Sequence, residues 1–176
     1  ENGLLENDDK ENYWIIDPID GTINFLHGIP HFCISVAHRS HNIITSGVIL
    51  DPIKNEIFYA DKNNGAYHNN QRLRVSKKTD LDECLFGTNK DGISKTILNC
   101  RVSGSAALDL AYVGAGKLDG YFQNNLNIWD IASGKLIVEE SGGIISPIDL
   151  SKINNIDIRA SSTNINEKML KNINKF

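Results

Sequence analysis

The stretch Trp14-Ile15-Ile16-Asp17-Pro18-Ile19-Asp20-Gly21-Thr22-Ile23-Asn24-Phe25 decides how this chain is read. The run from Tyr13 to Ile16 is aromatic and β-branched, the composition of a buried strand. Pro18 carries no N–H and is expected to stop that strand from continuing as a paired one. Two carboxylates three positions apart, on a turn forced by proline, can converge on one point. The carbonyl of Ile19 between them is free to join, because a turn does not use every backbone acceptor. Hard cations favour such oxygen-only shells, and Mg²⁺ takes them at about 2.0–2.1 Å while keeping several waters. Gly21-Thr22 follows at once; a helix starting there would aim its unpaired N–H groups at an anion. The plain alternative is a turn with solvated aspartates.

A second segment, Ile128-Trp129-Asp130-Ile131-Ala132-Ser133-Gly134, places an aspartate at the start of an apolar helical run. Alone, Asp130 reads as a helix cap. Beside the first segment it reads as a further metal ligand.

Outward from the first segment, strands are expected over 32–37, 43–50, 56–60 and 72–76. Turn residues lie between them at Asp51-Pro52, Asn63-Asn64-Gly65 and Asn69-Asn70. This half, residues 1–100, reads as an antiparallel meander. The other half, residues 101–176, changes rhythm. Ser103-Gly104-Ser105 precedes a helix over 106–113, residues 118–123 are extended, and a helix runs from Asp130 to Glu140, where Gly142-Gly143 stops it. Strands over 144–148 and 157–161 precede a last amphipathic helix, entered through Asn164 with Glu167 three positions on.

Composition narrows the function classes. The 176 residues are 40% apolar and 23% charged, a globular balance, with a formal net charge of −4. Lys and Arg are scattered, so the basic stripe of a nucleic-acid-binding surface is missing and direct nucleic-acid binding is not expected. Cys33, Cys84 and Cys100 form no CxxC pair, which suits reduced thiols and a cytoplasmic setting. No apolar run reaches the roughly 18 residues that would cross a membrane. His27 and His31 straddle Gly28 and Pro30 and read as loop histidines. Asp51-Pro52 and Asp119-Gly120 read as turns, Glu139-Glu140 as structural, and Asp109 as a solvated or locally hydrogen-bonded helix residue.

Residues 14–25 resemble the first signature of the inositol monophosphatase family, and residues 128–143 resemble its second, W-D-x-x-x-G followed by a glycine pair. Gly104-Ser105-Ala106-Ala107 and Leu118-Asp119-Gly120-Tyr121 fall between them in the family's order. The resemblance implies an α+β fold, a layered αβαβα sandwich lacking its N-terminal helices here. It also implies lithium-sensitive hydrolysis of small phosphate monoesters with two or three Mg²⁺, inositol 1-phosphate first among them, by a homodimer. By that similarity Asp17, the Ile19 carbonyl, Asp20 and Asp130 are metal ligands, with Asp17, Asp20, Thr22 and Asp130 catalytic. Gly21 and Thr22 would hold phosphate, with Ile19 and Asp130 beside them. Gly104, Ser105, Ala106 and Gln123 would face the alcohol portion of a small phosphorylated polyol. Gln123 stands where many relatives carry a glutamate, and the stretch 89–100 is shorter than theirs. Glu1 resembles the second, non-ligand member of an upstream Glu-Glu pair, which implies that the ligand glutamate precedes residue 1 and that a chain starting at Glu1 would bind metal poorly. A sugar- or nucleotide-bisphosphate phosphatase, or a non-catalytic protein partner of the bacterial transcription machinery, is the alternative within related proteins.

Overall fold

The structure is a computed structural model that describes residues 11–89 and 99–173. Glu1 and most of the short 89–100 stretch therefore lie outside the described residues. In chain order the first elements are β1 (Asn12–Asp20), α1 (Thr22–Leu26), β2 (Cys33–Ser40), β3 (Ile43–Asp51), β4 (Glu56–Asp61), β5 (Gly65–His68) and β6 (Gln71–Arg72). They are followed by β7 (Phe86–Thr88), β8 (Cys100–Arg101), α2 (Ala106–Gly114), β9 (Gly120–Leu126), α3 (Ile128–Glu140), β10 (Ile144–Ile145), β11 (Ile156–Ser161) and α4 (Asn166–Ile173).

Strands β1 to β6 form one antiparallel sheet in chain order; α1 lies in the connection from β1 to β2, and short turns join the others. A second sheet runs β10-β11-β9-β7-β8, with β7 parallel to both its neighbours. Helices α2 and α3 lie between the two sheets, and α4 closes the far side of the second. Among the described residues the layers thus run sheet, helix, sheet, helix, the order of the last four layers of an αβαβα sandwich.

The main core joins Ile15, Ile49 and Phe58 of the first sheet to Leu108, Leu136 and Ile137 of the helices and Ile158 of the second sheet. A smaller one sets Phe86 and Phe122 against Ile165 and Met169 beneath α4. Helices α2 and α3 approach so closely that a Cβ on Gly134 would lie 2.5 Å from Leu110 Cβ. The glycine of the second segment is thus a packing requirement. Across the same layer the Ser35 hydroxyl of β2 donates to Ser133 of α3 at 3.0 Å. No helix among the described residues is long and apolar enough to cross a membrane.

The structure departs from the sequence reading at several elements, among them the strand expected over 144–148, which ends at Ile145. Pro18 does not end β1, which runs on to Asp20 with its register shifted between Asp17 and Asp20. The proline sits in that irregularity, where its missing N–H has no ladder position to serve. Residues 73–76 are not strand; the extended segment ends at Arg72. The short β7 and β8 carry no alternating pattern long enough to read and are set by pairing within the second sheet. Asn164 does not cap α4, which begins at Asn166, and its side-chain N–H donates instead to the Lys77 carbonyl.

Gly134→Ala forces a methyl into the α2–α3 crossing and is expected to cost about 1–3 kcal/mol, the usual range for overpacking. Urea unfolding measures it directly; a midpoint equal to that of the wild type would mean that the helices separate freely.

Candidate functional site

In a regular strand, residues three apart point to opposite faces. In β1, Asp17 pairs with Ser35 and Asp20 with Cys33, so three steps on one strand match two on the other. That extra residue is a β-bulge, and it turns Asp17 and Asp20 to the same, inner face, where both are buried. Gly21 follows with φ +88°, a backbone conformation that suits glycine, and starts α1. A Cβ there would also meet the His31 carbonyl at 3.0 Å.

The inner face of this bulge meets the starts of two helices. Asp130 lies in the first turn of α3, which begins two residues earlier than its aspartate suggested, at Ile128. Its Oδ2 accepts the Asn127 backbone N–H at 2.7 Å. Asp17, Asp20 and Asp130 each offer a carboxylate oxygen within 4.8 Å of the others. Asp20 Oδ2 accepts the Ser105 hydroxyl at 2.5 Å, the Ala107 N–H of α2 at 2.8 Å and the Cys33 thiol at 3.7 Å. Burial nonetheless dominates and pushes the Asp20 carboxyl up to about 6, against the lowering effect of these donors; the Asp17 charge adds to the rise. Asp17 Oδ1 accepts the Ile19 N–H at 3.0 Å, and the Thr22 hydroxyl donates to the Ile19 carbonyl at 2.9 Å.

Two cavities open on this cluster. One, of about 280 Å³, is lined by Asp17, Ile19, Gly21 and Thr22, with Asn127 and Trp129 opposite. The other, of about 200 Å³, is lined by Gly104, Ser105, Ala106 and Gln123, with Thr88 and Asp109. Asp20 and Asp130 belong to both. Every residue singled out from the sequence therefore lines one cavity or the other.

Three residues at the site were not assigned there from the sequence. Asn24 donates to the His31 carbonyl at 2.8 Å and to the Ser103 carbonyl at 2.9 Å, joining α1 to the loop before α2. Its one available signal was an amide among the apolar residues Ile23 and Phe25. Asn127 donates through its backbone, which no side-chain pattern reveals. Asp109 is not on a solvated face but 4% exposed, and burial pushes its carboxyl up to about 7, against the lowering effect of the nearby Ser103.

Three oxygen donors and a mouth lined by backbone amides fit a hard divalent cation rather than zinc, which favours Cys and His. A cation would also relieve the crowding of buried negative charge. Asp20 and Asp109 both hold protons more tightly when folded than an ordinary aspartate carboxyl, which titrates at 3.8. The folded state then binds more protons than the unfolded one, so the metal-free protein loses stability as pH rises from about 4 to about 7. A divalent cation held here, at ten times its Kd, would add about 1.4 kcal/mol, roughly 3–6 °C in Tm for a chain of this size. That gain is expected to be larger at pH 7.5 than at pH 5, where protons compete. Thermal melts of the full-length protein with and without Mg²⁺ check this; equal gains at both pH values would separate the cation from these carboxyls.

The sequence profile of the Inositol monophosphatase family matches residues 1–175. An inositol-1-monophosphatase of Caulobacter vibrioides is 38% identical, over 98% of this chain and 75% of its own length. The Nus factor SuhB of Pasteurella multocida is 42% identical, over 82% of this chain and 60% of its own. The crystal structure of the extragenic suppressor protein suhB from Bartonella henselae superposes with a TM-score of 0.88 at 40% identity, covering 97% of this chain and 76% of that one. With both signatures in place around one acidic cluster, and a matching profile over nearly all of its length, the chain belongs to the inositol monophosphatase family.

Proposed function

We propose that the protein is a Mg²⁺-dependent phosphomonoesterase acting on a small phosphorylated polyol, with inositol 1-phosphate the leading substrate. The observation that carries this is the juxtaposition of Asp17, Asp20 and Asp130 at the junction of two cavities. One cavity has backbone and hydroxyl donors suited to phosphate. The other is polar and of a size for a small alcohol.

Asp17, Asp20, Asp130 and the Ile19 carbonyl would hold the cations, two or three of them. When bound, Mg²⁺ neutralises charge on the phosphoryl oxygens and lowers the pKa of a coordinated water. The chain's own residues do the rest. Gly21 and Thr22, at the entrance to α1, offer N–H groups to phosphate oxygens. The Thr22 hydroxyl, anchored on the Ile19 carbonyl, is placed to orient an attacking water. Ser105 holds Asp20 in position from the start of α2. Gly104, Ser105, Ala106 and Gln123 border the space left for the alcohol. Lithium inhibition and homodimer formation belong to the same reading and rest on family membership alone.

A second reading is supported by one relative's designation as a Nus factor, which points to a role as a protein partner of transcription. Both are decided with Asp17→Asn in the full-length protein. Losing a carboxylate that neutralises charge is expected to lower kcat at least 100-fold, in the range of a lost electrostatic contact in other active sites. Steady-state assays with Mg²⁺ on inositol 1-phosphate, fructose 1,6-bisphosphate, glycerol phosphate and adenosine bisphosphate measure it and rank the substrates. Near-normal turnover in the variant would overturn the assignment of Asp17. An inactive variant that fully restores a deletion strain would favour the partner role.

A further inference from the structure

The second cavity holds a carboxyl that neither the metal cluster nor the phosphate needs. Asp109 sits one turn into α2, on a face otherwise made of Ala106, Leu110 and Val113, and it lines the cavity with Gln123. Such a group is costly to bury among apolar side chains unless something bonds to it. The surrounding backbone has made room for it. A Cβ on Gly87 of β7 would lie 2.9 Å from Asp109 Oδ2, so a side chain there would push the carboxyl out of place.

Gln123 supplies the complementary observation. The Tyr121 hydroxyl donates to Gln123 Oε1, which leaves the amide's N–H donors for other partners, and Gln123 lines the cavity. A substrate hydroxyl is both donor and acceptor. Gln123 can serve its oxygen, but the hydroxyl proton then needs an acceptor from another side chain. Asp20 and Asp130 are committed to the cation in the proposed function. Asp109 is the remaining carboxyl in the wall.

We infer that Asp109 is a specificity-determining residue that accepts a hydrogen bond from a hydroxyl of the substrate's alcohol portion, with Gln123, in the same cavity wall, donating to that alcohol. The inference rests on the phosphomonoesterase reading above and specifies its substrate class as polyhydroxy alcohols rather than aryl or simple alkyl phosphates. Ser103, on the loop before α2, lies close enough to the carboxyl to work against the effect of its burial. Burial keeps a proton within its reach near neutrality, so the group can also donate to a hydroxyl oxygen.

The test compares inositol 1-phosphate with phenyl phosphate, which has no free hydroxyl on its leaving group, using Asp109→Asn in the full-length protein with Mg²⁺. The ratio of kcat/KM for the polyol ester to that for the aryl ester is expected to fall at least tenfold, mainly through KM for the polyol. A carboxyl that merely anchors the Ser103 loop would affect both esters alike, and Ser103→Ala would reproduce the effect. An unchanged ratio in Asp109→Asn, or an equal loss on both esters, overturns the inference. Should Asp109→Asn not fold, Gly87→Ala displaces the same carboxyl without altering it and must lower the same ratio. A wild type that hydrolyses neither ester overturns the phosphomonoesterase reading, and this inference with it. A wild type active on both esters whose ratio survives these changes overturns the role of Asp109 alone.

Discussion

The site depends on one extra residue in β1. Without the bulge between Asp17 and Asp20, the alternation of a strand would send one carboxylate to the inner face and the other to the outer face. With it, both face the two helix starts, and Asp130 needs only to sit in the first turn of α3 to complete the cluster. Pro18 belongs to the same device. A residue without an N–H fits a bulge at no loss of ladder hydrogen bonds, and its ring limits how far the bulge can relax. The glycine after Asp20 then lets the chain leave the sheet through a left-handed conformation directly into α1.

The concentration of negative charge that follows is held by geometry. Asp20 takes three donors and still has its carboxyl raised to about 6, so hydrogen bonds alone do not offset its burial beside Asp17. Those donors come from β2, from the loop before α2 and from α2 itself. The arrangement therefore cannot form until the first sheet and the middle helices have assembled. Asn24 adds a further tie between α1 and the Ser103 carbonyl. A cluster assembled this late and this far from neutrality suits a cation as its resting partner, since a cation serves all three carboxylates at once whereas each proton serves one.

The meander of the first sheet could be read from turn residues, because Asn55, Asn63, Asn69 and Asn70 adopt the left-handed conformations that short hairpins demand. The helices α2 and α3 could be read from apolar runs bounded by glycine. Other features depend on partners distant in sequence. Strands β7 and β8 are three and two residues long, too short for any period, and exist because β9 and a neighbouring segment pair with them. Tyr13 to Ile16 shows apolar residues without alternation, a pattern of sheets layered on both faces; accordingly Trp14 turns outward while Ile15 enters the core. Asp109 was visible as a residue but not as a buried one. A single aspartate in a helix looks the same in sequence whether it meets water or the wall of a cavity, and only the approach of Gly87 and Gln123 distinguishes the two.

Capping and ligand binding are not competing roles for these residues. Asp130 accepts the Asn127 N–H as a helix-terminal carboxylate does, while also offering an oxygen to the cluster. Ser105 accepts the Leu108 N–H as the cap of α2 and donates its proton to Asp20 with the same oxygen. Each bond fixes the orientation required by the other: a hydroxyl whose lone pair is aimed at a helix N–H has its proton directed elsewhere. A helix start is therefore an economical place to build such a site, because the groups that end the helix must be rigid for reasons of folding. Loss of the Ser105 hydroxyl would consequently disturb α2 and Asp20 together, and the two effects could not be separated by that substitution alone.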